Sequence, residues 1–496
     1  MKNKKTLRKY EVVKKKLTQI LEEKELNFLT CSINSFHLIK PHDYYINKNI
    51  FFINNIFLLI FLTPFRIIYR FLKWFFKLIE NYYFIFCYKN KKIKKNENEI
   101  YIFSYMNSEK LEFNTNNDFI YGKIPFYIKN KYRIKFIYLN NTSLNSRLLN
   151  YKHKNVIILD NIFPLLKEIK IFYFQLSQLN LFLLQHFLKK KITLNFFIRI
   201  IISIFSYKTR LNLRYHLQFI DFFKIYNAKI ILTTFEGFAW EKLLFNAVKT
   251  NKANCKVVAY QHIGLLKNQF DLKYNKKNNN FNPDYILKCS VFNKKKIIKL
   301  MPNLKKKVFN IGSGRYFIKK RIINKKIKCL ILPEGIHEEC IDLFKYSSQL
   351  AIKFPKIQFI WRTHPLINIS KFIKNNFLKD SFLLKNIILS KISFNDDIAR
   401  SDIVIYRGST SIINAIDNGK IPIYYKKKDD IFNIDPSYDF TIKKIIVTTV
   451  NDFQEVLRKY KYYCKYYYNN RSINRKFFTT QSNSSIKKIF NNLAKN

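Results

Sequence analysis

Short apolar runs alternate with longer amphipathic stretches over most of the chain between residues 99 and 450. In the first half, these runs have the length and the β-branched or aromatic content of buried strands. They occupy 100–105, 132–138, 155–159, 228–234 and 256–260. Because strands that alternate with helices usually pair in parallel, this pattern predicts a parallel α/β sheet.

The second half repeats the pattern after an Asn- and Lys-rich stretch at 271–282. Its apolar runs occupy 285–288, 308–311, 328–332, 358–361 and 402–406. We expect a second doubly wound domain with the boundary near Pro283, because polar stretches of this kind form connecting loops. The expected parts are a basic, amphipathic helical extension, two Rossmann-like domains and a helical tail, at 1–98, 99–282, 283–450 and 451–496.

The most apolar stretch lies before the first predicted strand, at 50–88. Asn and basic residues interrupt every run of the ~20 residues that a helix needs to cross a bilayer. Four basic residues recur at helical spacing and share one face: Arg66, Arg70, Lys73 and Lys77. Two interpretations stay open: a helix lying in the plane of an anionic lipid surface, and an amphipathic helix packed on the first domain.

Composition adds a strong positive charge that is spread along the chain. The 496 residues include 90 Lys and Arg against 33 Asp and Glu, a formal net charge of +57. Dense basic runs occur only at 2–16 and 89–95, whereas a nucleic-acid-binding domain concentrates its charge on one face. We therefore expect no specific nucleic-acid partner, and a non-catalytic protein that binds polyanions is kept as an alternative.

The cysteines and the first residues indicate a compartment. The seven cysteines contain no Cys-x-x-Cys pair and their number is odd, which indicates neither a disulfide framework nor a zinc site. No apolar core with a cleavage site follows Met1, so no secretory signal peptide is predicted. Together with the basic amphipathic stretch, these observations predict a cytoplasmic protein that is peripheral on the inner face of the plasma membrane.

A polar turn at 233–241 follows a predicted strand, and strand ends line the ligand crevice of an open α/β sheet. Glu236 and Gly237 lie in this turn. A carboxylate here can take a proton from a hydroxyl group, and a glycine lets a ligand approach the backbone. Glu241 is expected to be structural, at the start of the next helix.

Two further polar turns follow strands of the second half. In the turn at 362–365, His364 can donate a hydrogen bond to a phosphate and Pro365 fixes the turn. The turn at 406–413 opens a helix with three hydroxyl residues, Ser409, Thr410 and Ser411. Such hydroxyls and the adjacent N–H groups can bind a phosphate. Taken singly, each turn fits a structural role better, as a loop histidine and as a simple helix cap.

In their order along the chain, these turns resemble the short motifs of bacterial CMP-sialic acid transferases and polysialyltransferases. More broadly, the chain resembles the GT-B glycosyltransferases of surface-carbohydrate biosynthesis (O-antigen and capsule), especially in 236–241 and in the sequence Tyr-Gln-His-Ile-Gly at 260–264. The resemblance covers about residues 99–430. It implies two Rossmann-like domains facing a cleft, the first binding a glycan or lipid-linked acceptor and the second a nucleotide-sugar donor.

The resemblance also implies residue roles. Glu236 would be the general base, His364 would stabilise or protonate the leaving phosphate, and Ser409, Thr410 and Ser411 would bind that phosphate. The nucleotide pocket would include four more residues: Glu334, Gly335, Arg362 and Pro365. On the acceptor side, three residues would face the cleft: Gly237, Gln261 and His262.

Two departures keep the donor open. Those sialyltransferases carry two acidic residues before the glycine, whereas Phe235 precedes Glu236 here. The Arg-x-His-Pro sequence also resembles the glycerol- and ribitol-phosphate polymerases of teichoic acid synthesis, so a phosphotransferase that uses a CDP-activated donor is an alternative to a CMP-sugar transferase. The acidic pairs at 396–397 and 429–430 are interpreted as solvated caps or turns. We therefore expect no metal site, and no cofactor besides the donor substrate.

Overall fold

The fold is described from a computed structural model. It describes residues 99–106, 118–141, 155–160, 163, 165–183, 194–364, 367 and 380–495, without 253, 268, 270, 277, 291–293, 316, 319–321, 323–324 and 475–479, together with separate positions in 7–15 and 61–79. These residues form two parallel sheets with helices, as the alternation of strands and helices predicts. The protein is therefore α/β, with two Rossmann-like domains.

The first sheet has seven strands in the order β3-β2-β1-β4-β5-β6-β7, and neighbouring strands are parallel. The strands are β1 (Glu99–Met106), β2 (Arg133–Asn140), β3 (Val156–Leu159), β4 (Ala228–Thr234), β5 (Lys256–Gln261), β6 (Tyr285–Lys288) and β7 (Val308–Asn310). The central strands are almost fully buried, because helices cover both faces of such a sheet.

The second sheet has six strands in the order β10-β9-β8-β11-β12-β13, also parallel. They are β8 (Lys328–Leu332), β9 (Gln358–Trp361), β10 (Ile387–Leu389), β11 (Ile403–Tyr406), β12 (Ile421–Tyr425) and β13 (Ile446–Val447). The Trp361 ring is fully buried and stacks on Phe344 at 4.4 Å. Replacing such a side chain by Ala costs about 3–5 kcal/mol.

The described helices are α1 (Ile124–Ile128), α2 (Leu165–Phe182), α3 (Leu194–Ile204), α4 (Tyr207–Ile225), α5 (Ala239–Asn251), α6 (Lys294–Leu300), α7 (His337–Lys353), α8 (Phe394–Arg400), α9 (Ile412–Asp417), α10 (Val450–Arg458), α11 (Tyr460–Asn474) and α12 (Asn483–Lys495). Most of them follow a strand and lead to the next one, so the polar turns after the strands lie at the carboxyl edges of the two sheets.

The boundary between the sheets differs from the expected position near Pro283. Strand β6 pairs with β5, and β7 pairs with β6, so both extend the first sheet. The second sheet begins at Lys328. An apolar run identifies a strand but not its partner, and for this reason the sequence placed these two strands in the wrong domain.

The C-terminal residues return to the first domain. The side chain of Gln481 accepts a hydrogen bond from Lys123 N (2.6 Å) and donates one to Tyr121 O (2.8 Å). Helix α12 packs against α1 and buries Ile486 and Phe490. The last residues are therefore part of the first domain's packing rather than a separate tail.

The described positions of 61–79 are helical and exposed. Nine large apolar side chains are 45–67% exposed there: Phe61, Phe65, Ile68, Tyr69, Phe71, Leu72, Phe75, Phe76 and Ile79. One of them, Phe71, also contacts Phe172 of α2 at a ring distance of 5.9 Å. Within the described part of the chain, no helix is long and apolar enough to cross a membrane. The four basic positions of this stretch lie outside the described residues.

Candidate functional site

Three loops at the carboxyl edge of the second sheet are in contact. A Cβ atom added to Gly335, after β8, would lie 3.0 Å from Cε1 and 3.1 Å from Nδ1 of His364, after β9. A Cβ atom on Gly408, after β11, would lie 2.6 Å from Cδ of Glu334, and Gly408 has φ +69°. The predicted residues Glu334, Gly335 and His364 therefore lie together, and both glycines are needed for the close approach.

His364 is half-buried at this junction. Burial and, to a lesser degree, the charge of Arg315 lower the pKa of its imidazole. A neutral imidazole can donate one N–H hydrogen bond to a phosphate oxygen. Its chain neighbour Pro365, predicted to fix this turn, lies outside the described residues.

The predicted hydroxyl residues lie just before α9. Ser409 is buried, whereas Thr410 and Ser411 are half-buried, and the Ser411 side chain makes no capping hydrogen bond to the helix. A simple helix cap therefore does not account for Ser411. The preceding Tyr406 hydroxyl donates to Asp435 (2.8 Å), which fixes the end of β11 beneath the turn.

On the first sheet, Glu236 follows β4 and meets side chains from two neighbouring strands. Its Oε1 atom accepts a hydrogen bond from the Tyr105 hydroxyl at 3.0 Å and lies 3.5 Å from Nε2 of His262. His262 is buried, and burial, followed by the charge of Arg315, lowers its pKa well below the usual value. A neutral His262 can therefore direct an N–H group at a carboxylate that is 12% exposed.

Glu241 is structural, as expected. It is fully buried and accepts hydrogen bonds from the backbone N–H groups of Glu236, Gly237 and Phe238 and from the Thr234 hydroxyl. Burial and then the nearby Glu236 raise the pKa of this carboxyl to about 8. Glu241 holds the turn that presents Glu236.

Gly237 and Gln261 complete this side of the site. Gly237 has φ +84°, and a Cβ atom there would lie 2.7 Å from Cγ of Asp271. Gln261, at the end of β5, is 1% exposed, and its Nε2 atom makes no hydrogen bond with any residue that the structure describes. An unsatisfied buried amide beside His262 is costly, and a polar ligand would satisfy it.

The two halves of the site face each other. A Cβ atom on Gly264, after β5, would lie 3.7 Å from both Cγ2 of Thr410 and Cδ1 of Ile413 in the second domain. Lys296 Nζ of α6 lies 3.4 Å from the Tyr438 hydroxyl. The loop at the end of 260–264 in the first domain therefore lies next to the hydroxyl turn at 409–411 in the second.

Arg362 was predicted to be part of the nucleotide pocket, but other residues of the second domain hold its side chain. Its guanidinium pairs with Asp397 at 2.7 Å, donates to Ile392 O at 2.8 Å and lies over the Phe394 ring. These contacts bind β9 to α8. The sequence could not reveal this pairing, because Asp397 is 35 positions away.

The acidic pairs at 396–397 and 429–430 were expected to be solvated, but one aspartate of each pair forms ion pairs. Asp397 is fully buried and also pairs with Arg400 at 2.8 Å. Asp430 receives two hydrogen bonds from the buried Arg407, at 2.5 and 2.6 Å. Both aspartates therefore neutralise arginines of the second domain. Among the described residues, no group of three or more His, Cys, Asp and Glu could hold a metal ion.

Sequence reasoning missed Arg315, which lies in the loop after β7. Its charge lowers the pKa of His262 in the first domain and of His364 in the second. The charge of Arg315 therefore influences a histidine of each domain. The only signal in the sequence was the Gly-Ser-Gly-Arg run at 312–315, directly after a predicted strand.

No protein-family model matches the sequence, and no curated protein matches it at a significant level. Solved structures that match this chain include the UDP-GlcNAc 2-epimerase of Neisseria meningitidis bound to UDP-GlcNAc, with 13% identity, a TM-score of 0.46 and coverage of 81% of this chain and 100% of that one. A glycosyltransferase of Rickettsia africae has 11% identity, a TM-score of 0.41 and coverage of 81% and 98%. Anabaena HepE, in complex with UDP and glucose, has 11% identity, a TM-score of 0.43 and coverage of 80% and 100%. The fold assignment itself rests on the two parallel sheets.

Proposed function

We propose that the protein is a glycosyltransferase that moves a sugar from a nucleotide-activated donor to a glycan or lipid-linked acceptor in bacterial surface polysaccharide biosynthesis. One observation carries this proposal. Glu236 and His262 lie at the carboxyl edge of the first sheet and the Glu334, His364 and Gly408 loops at that of the second, and the two edges meet where Gly264 approaches Thr410. A carboxylate base facing a phosphate-binding edge is what sugar transfer between two bound substrates requires.

In the proposed reaction, the nucleotide lies over the second sheet, against the loops at 334–335 and 408–411. The acceptor hydroxyl oxygen bonds to the anomeric carbon, while the bond from that carbon to the phosphate oxygen breaks. The hydroxyl proton passes to Glu236, and the bonding electrons leave with the nucleotide phosphate. Tyr105 and His262 orient the Glu236 carboxylate through its Oε1 atom.

The role of His364 follows from its surroundings. The lowered pKa leaves its imidazole neutral at pH 7, so it is suited to donate a hydrogen bond to the leaving phosphate. Full proton transfer would require the bound phosphate to raise that pKa. Arg362, held by Asp397, has no direct part in this scheme.

The nucleotide is the finer part of the proposal. The motif resemblance favours a cytidine nucleotide, in a CMP-sugar or, for the phosphotransferase alternative, in CDP-glycerol or CDP-ribitol. The epimerase and HepE structures contain UDP-GlcNAc and UDP. A direct binding experiment therefore has to include both bases.

Thermal stabilisation of the purified protein tests the proposal. CMP, CDP, UDP, GDP and ADP are each added with magnesium and with a chelator, because a ligand that binds only the folded state raises Tm. Stabilisation by one nucleotide, lost in His364→Ala and kept in His337→Ala, is the expected result; His337 is an exposed residue at the start of α7. No response to any nucleotide, or an equal response from the His364 variant, would contradict the assigned donor site. Magnesium-dependent turnover would contradict metal independence.

We further propose that the exposed apolar side chains within 61–79 attach the protein to the inner face of the plasma membrane. Nine such side chains at the described helical positions of 61–79 are unusual for a surface in water. The basic residues interspersed in its sequence suit anionic lipid headgroups. Attachment there would bring the cleft close to a lipid-linked acceptor.

A further inference from the structure

The loop that carries Arg315 is held by unusually close backbone packing. A Cβ atom on Gly314 would lie 2.2 Å from Cα of Gly122, so neither glycine can be replaced without displacing the other loop. The Ser313 hydroxyl accepts a hydrogen bond from Arg315 N at 3.1 Å. The backbone of Arg315 is therefore fixed relative to the first sheet.

The Arg315 side chain is fixed as well. Its Nε atom donates to Phe119 O at 3.1 Å, and the guanidinium carbon lies 4.4 Å from the centre of the exposed Phe119 ring. These contacts use one edge and one face of the guanidinium. A planar, preorganised guanidinium loses little freedom when it binds an anion.

No carboxylate in the described part of the chain forms an ion pair with Arg315. The charge of Arg315 acts on the pKa of the Asp118 carboxyl. The Oδ1 atom of Asp118, however, accepts hydrogen bonds from the backbone N–H groups of Ile120 and Tyr121, both at 2.8 Å. Two buried arginines differ in this respect, since Arg214 pairs with Glu168 and Arg407 with Glu339 and Asp430. Arg315 is thus a fixed cation without a fixed counter-charge.

We propose that Arg315 binds the phosphate group of the nucleotide donor. The two terminal NH2 groups of a guanidinium match two oxygens of a phosphate. The proposal rests on the proposed function for the identity of the anion. It adds a cation from the first domain to a phosphate site otherwise built from the second.

Calorimetric titration of the full chain with inorganic pyrophosphate, CDP, UDP and the nucleosides cytidine and uridine tests this assignment. Arg315→Gln is compared with Arg458→Gln, which removes the same charge from an exposed residue of α10 paired only with Glu455 among the described residues. We expect Arg315→Gln to weaken pyrophosphate and nucleoside diphosphate binding by about 10- to 100-fold, with nucleoside binding unchanged. Arg458→Gln should change each by less than about twofold.

Three outcomes are decisive. Equal pyrophosphate binding by the two variants, or no binding by the unaltered protein, would overturn the anion site. Weaker binding with retained Tm in Arg315→Gln and partial recovery in Arg315→Lys would support it. If pyrophosphate binding depends on Arg315 but no nucleotide-sugar is turned over, the anion site stands and the glycosyltransferase proposal fails.

Discussion

Nε2 of His262 lies 3.5 Å from Oε1 of Glu236, and the two residues follow the neighbouring strands β5 and β4. The same Oε1 atom accepts a hydrogen bond from the Tyr105 hydroxyl, so two polar side chains of the first domain approach one carboxylate oxygen. Glu241 fixes the backbone beneath by accepting three successive N–H groups. Tyr105 and His262 reach Glu236 from two separate strands, so only the folded sheet brings these side chains together.

Glu236→Gln should abolish most of the turnover while the fold is kept. The amide cannot accept a proton, and loss of a general base costs about 10²- to 10⁴-fold in rate. Turnover of the donor identified by the nucleotide panel is measured together with Tm. Glu338→Gln, at an exposed glutamate of α7, is the matched control and should be fully active. A fully active Glu236→Gln would remove this residue from the mechanism.

Gly408→Ala should lower stability and weaken nucleotide binding. The residue has φ +69°, and its Cβ atom would lie 2.6 Å from the Glu334 carboxyl, so we expect a loss of about 1–3 kcal/mol in the free energy of unfolding. Gly264→Ala is the control, because its Cβ atom would meet its neighbours at ordinary contact distances of 3.7 Å or more. Equal unfolding midpoints in urea for the two variants would show that the Gly408 contact is not needed.

Asp397→Ala should destabilise the second domain without a specific effect on the nucleotide. It leaves Arg362 and Arg400 without their shared, fully buried partner, and such a loss costs about 3–5 kcal/mol. Because both arginines keep some contact with water, we expect the lower end of this range. Urea unfolding gives the stability, and nucleotide affinity is measured at a temperature where the variant is folded. A large loss of nucleotide affinity in the folded variant would show that Arg362 contributes to the donor site.

The buried Glu241 predicts a pH dependence of stability. Burial and Glu236 raise the pKa of its carboxyl to about 8, above the usual value of 4.5. Between these pH values the folded state holds a proton that the unfolded state has lost, so the stabilisation is present below pH 4.5 and is lost as the pH rises through 8. In Glu241→Gln this slope should disappear.

Unfolding midpoints of both proteins between about pH 5 and about pH 8.5 check this expectation, and the slope rather than the absolute stability is compared. Gln also loses hydrogen bonds from the turn, so a lower midpoint at every pH is expected. Identical slopes would mean that the three backbone N–H groups keep Glu241 ionised in the folded protein.

Replacing two exposed aromatic residues, Phe65→Ser with Phe75→Ser, should weaken membrane attachment. A buried Phe side chain contributes about 1.5–3 kcal/mol. Co-sedimentation with phosphatidylcholine vesicles, with and without phosphatidylglycerol, measures the bound fraction. Leu383→Ser is the control, since Leu383 is 80% exposed and lies in the second domain. Equal binding of both variants would contradict the attachment proposal and favour packing of the helix on the first domain.

The sequence was most informative where structure depends on local pattern. All ten apolar runs predicted as strands are strands, because their length and β-branched content are local properties. Strands β10, β12 and β13 were missed, and β13 has only two residues. The sheet to which β6 and β7 belong depends on pairing with β5, a long-range property.

The site residues also divide into those that a local pattern predicts and those that depend on long-range contacts. Glu236, His262 and His364 follow strands directly, so topology alone placed them at sheet edges. Arg362 also follows a strand, but its guanidinium is held by Asp397, which no local pattern reveals. Arg315 was missed because the contacts that fix its side chain, with Phe119, are far away in the sequence.

The loop that leaves the first sheet after β7 meets the residues that precede α12. Ser313 lies in this loop, and Thr480 forms a backbone bridge with it. Ser482 N also donates to Ile311 O at 3.4 Å. The Ser313–Thr480 bridge lies two residues from Arg315, so the connection between the two sheets and the proposed phosphate contact share one short stretch of chain.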